Sequence, residues 1–228
     1  MVRLCLLAAC AFAALAQPPV RVLLVTGGHD HDIAFYSVFG DPRFHVTVDG
    51  HPSAFRRDFT NRYDVLVLYD SAEIDEAKQQ HVRAFIEAGK GLVVLHHAIC
   101  SNLKWRWWGE DVVGGRWRFA PETPTTTYSH DELIPVRVAK RHPVTEGVGD
   151  FTILDETYKD LQISPKVDVL LTTDHRKSDR AVAWIGPHPS ARVVYIQFGH
   201  DANAHGDPNY IRLVRNAIAW TAKPATQP

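Results

Sequence analysis

Residues 64–97 read DVLVLYDSAEIDEAKQQHVRAFIEAGKGLVVLHH: a nearly unbroken apolar run, a polar stretch, and a second apolar run. Between the runs, Ile74, Ala77, His81 or Val82, Phe85 and Ile86 recur at the spacing of one helix face until Gly89. Ser71 stands where it can cap that helix. Strands that are apolar throughout, such as 64–70 and 91–97, must be covered on both faces. Strand, helix, strand in this order predicts a parallel sheet with helices on both faces. The same pattern continues on either side. Residues 20–26 (VRVLLVT) form another buried strand ended by Gly27-Gly28, residues 44–48 alternate, and residues 192–198 (RVVYIQF) are again apolar. Further short strands are expected at 134–138, 168–173 and 180–185. Asp207 and Pro208 then start a last helix whose Ile211, Val214 and Ile218 share a face. The expected fold class is α/β, its sheet built from 20–26, 64–69, 92–95 and 192–198.

The 25 Lys and Arg of the chain stand against 26 Asp and Glu, a formal charge of −1, which excludes a nucleic-acid binder held by phosphate neutralisation. With 45% apolar and 22% charged residues the chain is neither disordered nor fibrous. Its 228 residues fit one α/β domain with a sizeable core. The start reads differently. Arg3, an apolar run over 4–15 and the small-x-small ending Ala14-Leu15-Ala16 precede Gln17-Pro18-Pro19. This is the order of an export signal cleaved after Ala16, too short to span a bilayer, and it predicts a periplasmic or secreted protein starting at Gln17. Leu7-Ala8-Ala9-Cys10 also resembles a lipobox, which would place a lipid on Cys10. After cleavage at Ala16 only Cys100 remains, so no internal disulfide is expected. No other segment is long and apolar enough for a membrane span.

Ligand sites in open parallel sheets lie beyond the carboxyl ends of the strands. Gly27-Gly28-His29-Asp30-His31-Asp32 follows the first strand, and His96-His97 ends the 92–95 strand. Asp155-Glu156-Thr157-Tyr158 follows a short run at 151–154, and Gly199-His200-Asp201 follows 192–198, with His205 nearby. Each has a plainer reading: a solvated glycine turn, a core histidine, a surface pair of acids. His51, His81 and His188 have no such companions and read as structural or solvated. Repetition at strand ends favours a shared rim. Imidazole and carboxylate together suit a divalent metal such as zinc or manganese. They equally suit metal-free acid–base chemistry near neutral pH. No G-x-S-x-G elbow, Walker loop or G-x-G-x-x-G fingerprint occurs, so no nucleotide cofactor is expected. Cys100, beyond the strand end, is a poor nucleophile candidate.

Residues 101–130 form a long excursion carrying Trp105, Trp107, Trp108 and Trp117. The tryptophans either anchor it to the sheet or form a platform for sugar rings, whose C–H faces pack on indole. Trp107 and Trp108 are the candidates for the site wall.

The segments VLLVTGGHDHD, AGKGLVVLHHAIC, WWGEDVVGGRW, HPVTEGVGDFTILDETY and RAVAWIGPHPSARVVYIQFGHD, followed by DPNYIRLVRNAIAW, resemble the ThuA-like (trehalose utilisation) family over roughly residues 20–222. The resemblance implies a flavodoxin-like, class I glutamine amidotransferase-like fold, as a single domain over 17–228 behind the signal peptide 1–16. Where that superfamily often carries a cysteine nucleophile, this chain has His96, the family's characteristic histidine, so amidotransferase chemistry is not carried over. Glu156 matches the family's acid in D-E-x-Y, His200 its histidine in G-H-D, and either His29 or His31 its N-terminal histidine. Many relatives carry a histidine shortly after G-G-R-[FW]; here Arg118-Phe119-Ala120 stands instead, and either His130 fills that place or the wall differs.

The leading expectation is an exported enzyme acting on a small carbohydrate, a disaccharide or 3-keto-sugar. Its catalytic residues are His96, Glu156 and His200, and its metal ligands, if one binds, come from these with His29 or His31. Trp107, Trp108, His130 and Tyr158 are expected against the substrate. Two other classes remain open: a non-catalytic sugar-binding protein, and an amidotransferase-like scaffold for a partner protein.

Overall fold

The computed structural model describes residues 18–223. The leader, with Arg3, Cys10 and the cleavage point at Ala16, lies outside the described residues. Eleven strands form: β1 (Val20–Gly27), β2 (Phe44–Gly50), β3 (Val65–Asp70), β4 (Gly91–Leu95), β5 (Gly115–Arg116), β6 (Thr127–Val138), β7 (Phe151–Lys159), β8 (Gln162–Ile163), β9 (Asp168–Thr172), β10 (Ala181–Ile185) and β11 (Val193–Ile196). The helices are α1 (Glu76–Glu87), α2 (Ala202–His205) and α3 (Pro208–Thr221). Among the described residues no helix is long and apolar enough to cross a membrane.

Nine strands make the main sheet in the order β2-β1-β3-β4-β11-β10-β9-β6-β7. The first five are parallel, as expected for β1, β3, β4 and β11 from their apolar runs; from β11 onward every pairing is antiparallel. Alternation within the parallel strands builds a core on each face. Val65, Val67 and Tyr69 of β3 pack with Phe35 and with Leu213, Val214 and Ile218 of α3. Leu66 and Leu68 face the other way, onto Val82, Phe85 and Ile86 of α1 and onto Trp105 and Trp108. Each such buried aliphatic side chain contributes about 1.5–3 kcal/mol, which is what fixes the register.

The first helix starts later than Ser71. Asp75 is its cap, its side chain accepting the Lys78 backbone N–H at 3.0 Å, while residues 71–75 stay irregular. Asp207 and Pro208 start α3 as expected, Asp207 accepting from the Asn209 and Tyr210 N–H groups. β7 runs through Asp155 to Tyr158, which the sequence placed past the end of a short strand at 151–154. The antiparallel β6–β7 hairpin therefore brings Glu156 to the rim from a strand, not from past a strand end.

Arg21 of β1 clamps Asp64, just ahead of β3, by Nε at 3.0 Å and Nη2 at 2.7 Å, and holds the Asp64 carboxyl down to about 2 against the effect of burial. A depressed carboxyl stabilises the fold above its unfolded value and ceases to do so as pH falls through the folded one. Acid unfolding should therefore gain a contribution between the ordinary 3.8 and about 2. In Arg21→Leu the acid midpoint should move to higher pH, read by circular dichroism. An unmoved midpoint would show the clamp to be fully screened.

Candidate functional site

β4 ends at Leu95, and the chain turns at once through a short helical turn, His96–Cys100. His96 sits at that corner with φ of 49°, a left-handed conformation that costs a non-glycine residue roughly 1–2 kcal/mol. Tertiary contacts hold it there. Its ring is fully buried, and Nδ1–H donates to the Gln197 carbonyl oxygen at 2.7 Å. A carbonyl only accepts, so the proton belongs on Nδ1 and Nε2 presents a lone pair. That lone pair faces Glu156 Oε2 at 3.2 Å and His200 Nδ1 at 3.2 Å, and the latter two lie 3.7 Å apart.

Neighbouring groups fix the two partners. Asp155, buried behind Glu156 on β7, accepts the Gly199 N–H at 2.7 Å and the His200 N–H at 3.0 Å, pinning the β11–α2 loop to the hairpin. The Gly199 carbonyl accepts from Tyr69 Oη at 2.7 Å and lies 2.9 Å from His205 Nε2, whose Nδ1 meets Asp32. Glu156 Oε1 lies 3.2 Å from Nδ1 of half-exposed His130, on β6. The Tyr158 hydroxyl lies 3.0 Å from His96 Nε2. Burial works to raise the Glu156 carboxyl, but the hydrogen bond and charge that His96 supplies when Nε2 is protonated as well, with His200, lower it overall. Burial first, then His96, lowers His200 and keeps it a neutral donor of electrons. Burial drives the Tyr158 phenol far up, so it stays protonated.

The Nε2 and Oε2 lone pairs, 3.2 Å apart, need a positive charge between them: a proton on His96, or a cation. Donors about 2.0–2.1 Å from a tetrahedral ion lie roughly 3.3–3.4 Å from one another. The three separations here, 3.2, 3.2 and 3.7 Å, bracket that spacing, and the set of two imidazoles and one carboxylate suits zinc or manganese. The residues fit a divalent metal. His29 stands next to the cluster. Gly28, at φ of 75° and with its Cβ position 2.3 Å from the Ser71 carbonyl oxygen, makes the tight turn that brings it there. The His29 ring stacks on His97 at 4.2 Å and lies 5.7 Å from His200, and its Nδ1–H donates to the Asp30 carbonyl at 2.6 Å. His31 is turned away, its Nε2 on the Tyr36 hydroxyl at 2.8 Å and its ring among Phe35, Tyr36 and Tyr69. Of the two candidate histidines, only His29 faces the cluster.

A cavity of about 360 Å³ opens onto these groups, lined by His29, Ser71, His97, Cys100, Trp117, Phe119, Tyr128, His130, Glu156 and Tyr158. His130 and Tyr158 are where the sequence placed them, but Trp107 and Trp108 are not. Residues 106–113 wind helically onto the β4–β11 face: Trp108 is 2% exposed and stacks on Trp105, three residues away, so both enter the core. Trp107 lies under the Arg83 guanidinium, 3.9 Å from its ring centre, against His188. The wall is instead Trp117, Phe119 and Tyr128. The sequence held a signal for it: Trp117 and Phe119, like Tyr128 and His130, are two apart, which in extended chain puts both on one side. His97 was also passed over. Its ring is buried with neither nitrogen partnered, and burial, with the charges of His96 and His29, pushes it down to about 2. Burial and Glu156 push the Cys100 thiol up to about 12, which removes it as a nucleophile. A larger cavity, about 670 Å³, lies around residues 138–149, away from the donor cluster.

No protein of curated description matches the sequence. Solved structures do match in fold. A ThuA-like protein of Parabacteroides merdae superposes with a TM-score of 0.74 at 19% identity, covering 92% of each chain. Another from Bacteroides uniformis gives 0.70 at 19% identity, covering 92% of this chain and 95% of that one. A GMP synthase component from Thermoplasma acidophilum gives 0.55 at 12% identity, over 90% and 96%. Together they show a glutamine amidotransferase-like fold. The profile of the ThuA family, described as trehalose utilisation, matches residues 21–221, and the chain belongs to that family.

Proposed function

We propose that this protein is an exported enzyme that acts on a small carbohydrate at the His96–Glu156–His200 cluster. One observation carries the reading: three electron-pair donors, one with its tautomer fixed by a backbone carbonyl, converge, and one of them, Glu156, lines a cavity walled by aromatic rings. The family's association with trehalose utilisation supports the substrate class. His96, Glu156 and His200 would hold a divalent metal such as zinc or manganese, with His29 beside them. When bound, such an ion polarises a sugar carbonyl or hydroxyl oxygen.

The residues have separable tasks. His96 is immobile, because its Nδ1–H is committed to Gln197. Asp155 holds the His200 loop at a fixed distance from Glu156. His130, half exposed and with Nδ1 3.2 Å from Glu156 Oε1, is the group that can pass a proton between the cavity and water. Tyr158, always protonated, donates toward the His96–Glu156 pair.

Metal analysis of the purified protein, joined to a screen of disaccharides and their 3-keto counterparts, tests the reading. About one equivalent of a transition metal, lost in His96→Ala, and turnover of at least one sugar are expected. Binding of a sugar without turnover of any would favour a non-catalytic binding protein instead.

A further inference from the structure

The cavity lining carries one carboxylate, Glu156, and no Lys or Arg. The nearest arginines are engaged elsewhere: Arg116 pairs with Glu122, and Arg118 donates to the Leu161 carbonyl at 3.2 Å. Nothing in the lining would neutralise a phosphate, and Glu156 would repel one. At one end His29, His130 and Tyr158 stand against the His96–Glu156–His200 cluster. The other end is aromatic, and two of its rings break the usual rule of burial, since Phe119 is 56% exposed and Tyr128 57% exposed. They flank Trp117, at 6.2 and 6.4 Å between ring centres. Trp117, only 7% exposed, stands edge-on against Tyr158 at 5.0 Å and so joins the aromatic end to the donor cluster. The Phe119 side chain can make no hydrogen bond, so what it meets in the cavity must present an apolar face.

We infer that Trp117, Phe119 and Tyr128 form a second subsite, which takes the C–H face of a further ring of an uncharged glycoside while its first ring meets Glu156 and His130. The inference rests on the carbohydrate reading of the site and adds to it that the substrate has at least two rings and no phosphate. Aromatic rings suit this task because they pack on the C–H faces of a pyranose without demanding a particular hydroxyl pattern. Specificity for the first ring then falls to the polar end and that for length to the aromatic end.

Isothermal titration of the mature protein with glucose, trehalose, maltose, cellobiose and trehalose 6-phosphate tests this. At least one neutral disaccharide should bind about tenfold more tightly than glucose, and the phosphorylated sugar more weakly than its parent. In the double variant Phe119→Ala, Tyr128→Ala that ratio to glucose should fall to about one, with an unchanged far-ultraviolet circular dichroism spectrum, since both side chains are over half exposed. A ratio unaltered by the double variant, or tighter binding of the phosphorylated sugar, overturns the subsite. Failure of every sugar to bind overturns the carbohydrate reading itself, and the subsite with it.

Discussion

Glu156→Gln should lower turnover on the order of 10²–10⁴-fold while leaving the melting temperature unchanged or slightly higher. The substitution preserves shape and replaces a proton acceptor and anionic donor by an amide. Activity falls because the amide neither takes a proton nor binds a cation well. Stability holds for a different reason. The Glu156 carboxylate is nearly buried, and its Oε2 faces the lone pair of His96 Nε2 at 3.2 Å. An amide nitrogen in that place donates to Nε2 and removes a buried charge, so the pair becomes satisfied without a cation. Steady-state kinetics and thermal melts on one preparation read both arms. Full activity in the variant would remove Glu156 from the mechanism, and a large fall in melting temperature would show that its charge holds the hairpin.

The second large effect concerns stability. His51, just past β2, meets Asp70, the last residue of β3, with Nδ1 2.6 Å from Oδ2, and the side chains are 7% and 1% exposed. The hydrogen bond to Asp70 raises the imidazole above its ordinary 6.5, against burial, while burial raises the Asp70 carboxyl despite that bond. His51→Leu leaves a buried acid with no partner and should cost about 3–5 kcal/mol. For a domain of this size that is a fall on the order of 10 °C in melting temperature. The double variant His51→Leu, Asp70→Leu should recover most of the loss, because it removes the stranded group as well. The pH dependence has a definite sign. A raised histidine stabilises fully below its unfolded value, near 6.5, and this is lost as pH rises through the folded value. The difference between wild type and Asp70→Asn in urea melts should therefore shrink from pH 6 toward alkaline pH. A gap that widens instead would mean that the pair is held neutral.

How much of this could be read beforehand depended on which faces of a segment are buried. β1, β3, β4 and β11 were legible because strands buried on both sides admit only apolar residues, and their order implied the parallel sheet. β7 was not. Glu156 and Tyr158 share one face of it and point at the cavity, so Asp155-Glu156-Thr157-Tyr158 looked too polar to continue the strand of 151–154. Ser71 and Asp75 are both acceptable caps by chemistry, but the Ala72 and Ile74 N–H groups donate to Ser101 Oγ and Asn102 Oδ1, which keeps 71–75 out of the helix and leaves the cap to Asp75. The convergence of His96, Glu156 and His200 followed from the general rule about strand ends for two of the three; Glu156 arrived by another route. The choice between tryptophans turned on period. Trp105 and Trp108 sit at helical spacing and went into the core, whereas Trp117 and Phe119 alternate and line the cavity.

The β6–β7 hairpin meets the rest of the sheet through Arg137 opposite Thr172 and Val138 opposite Leu171, both at the end next to its 139–150 connection. Eight register pairs tie its two strands to each other. Its opening breaks few ladder bonds to the sheet, though it must release Ile134, Val136 and Ile153 from the core and Asp155 from the Gly199 and His200 N–H groups, and local unfolding of this kind precedes the global transition. Amide hydrogens of β6 and β7 should therefore exchange together, and sooner than those of β3 and β4. Each opening would carry Glu156 and His130 away from His96 and His200 while the parallel strands stay intact. The catalytically competent fraction is then governed by the hairpin's own opening equilibrium, so a variant can lose activity to heat far below the temperature at which it melts.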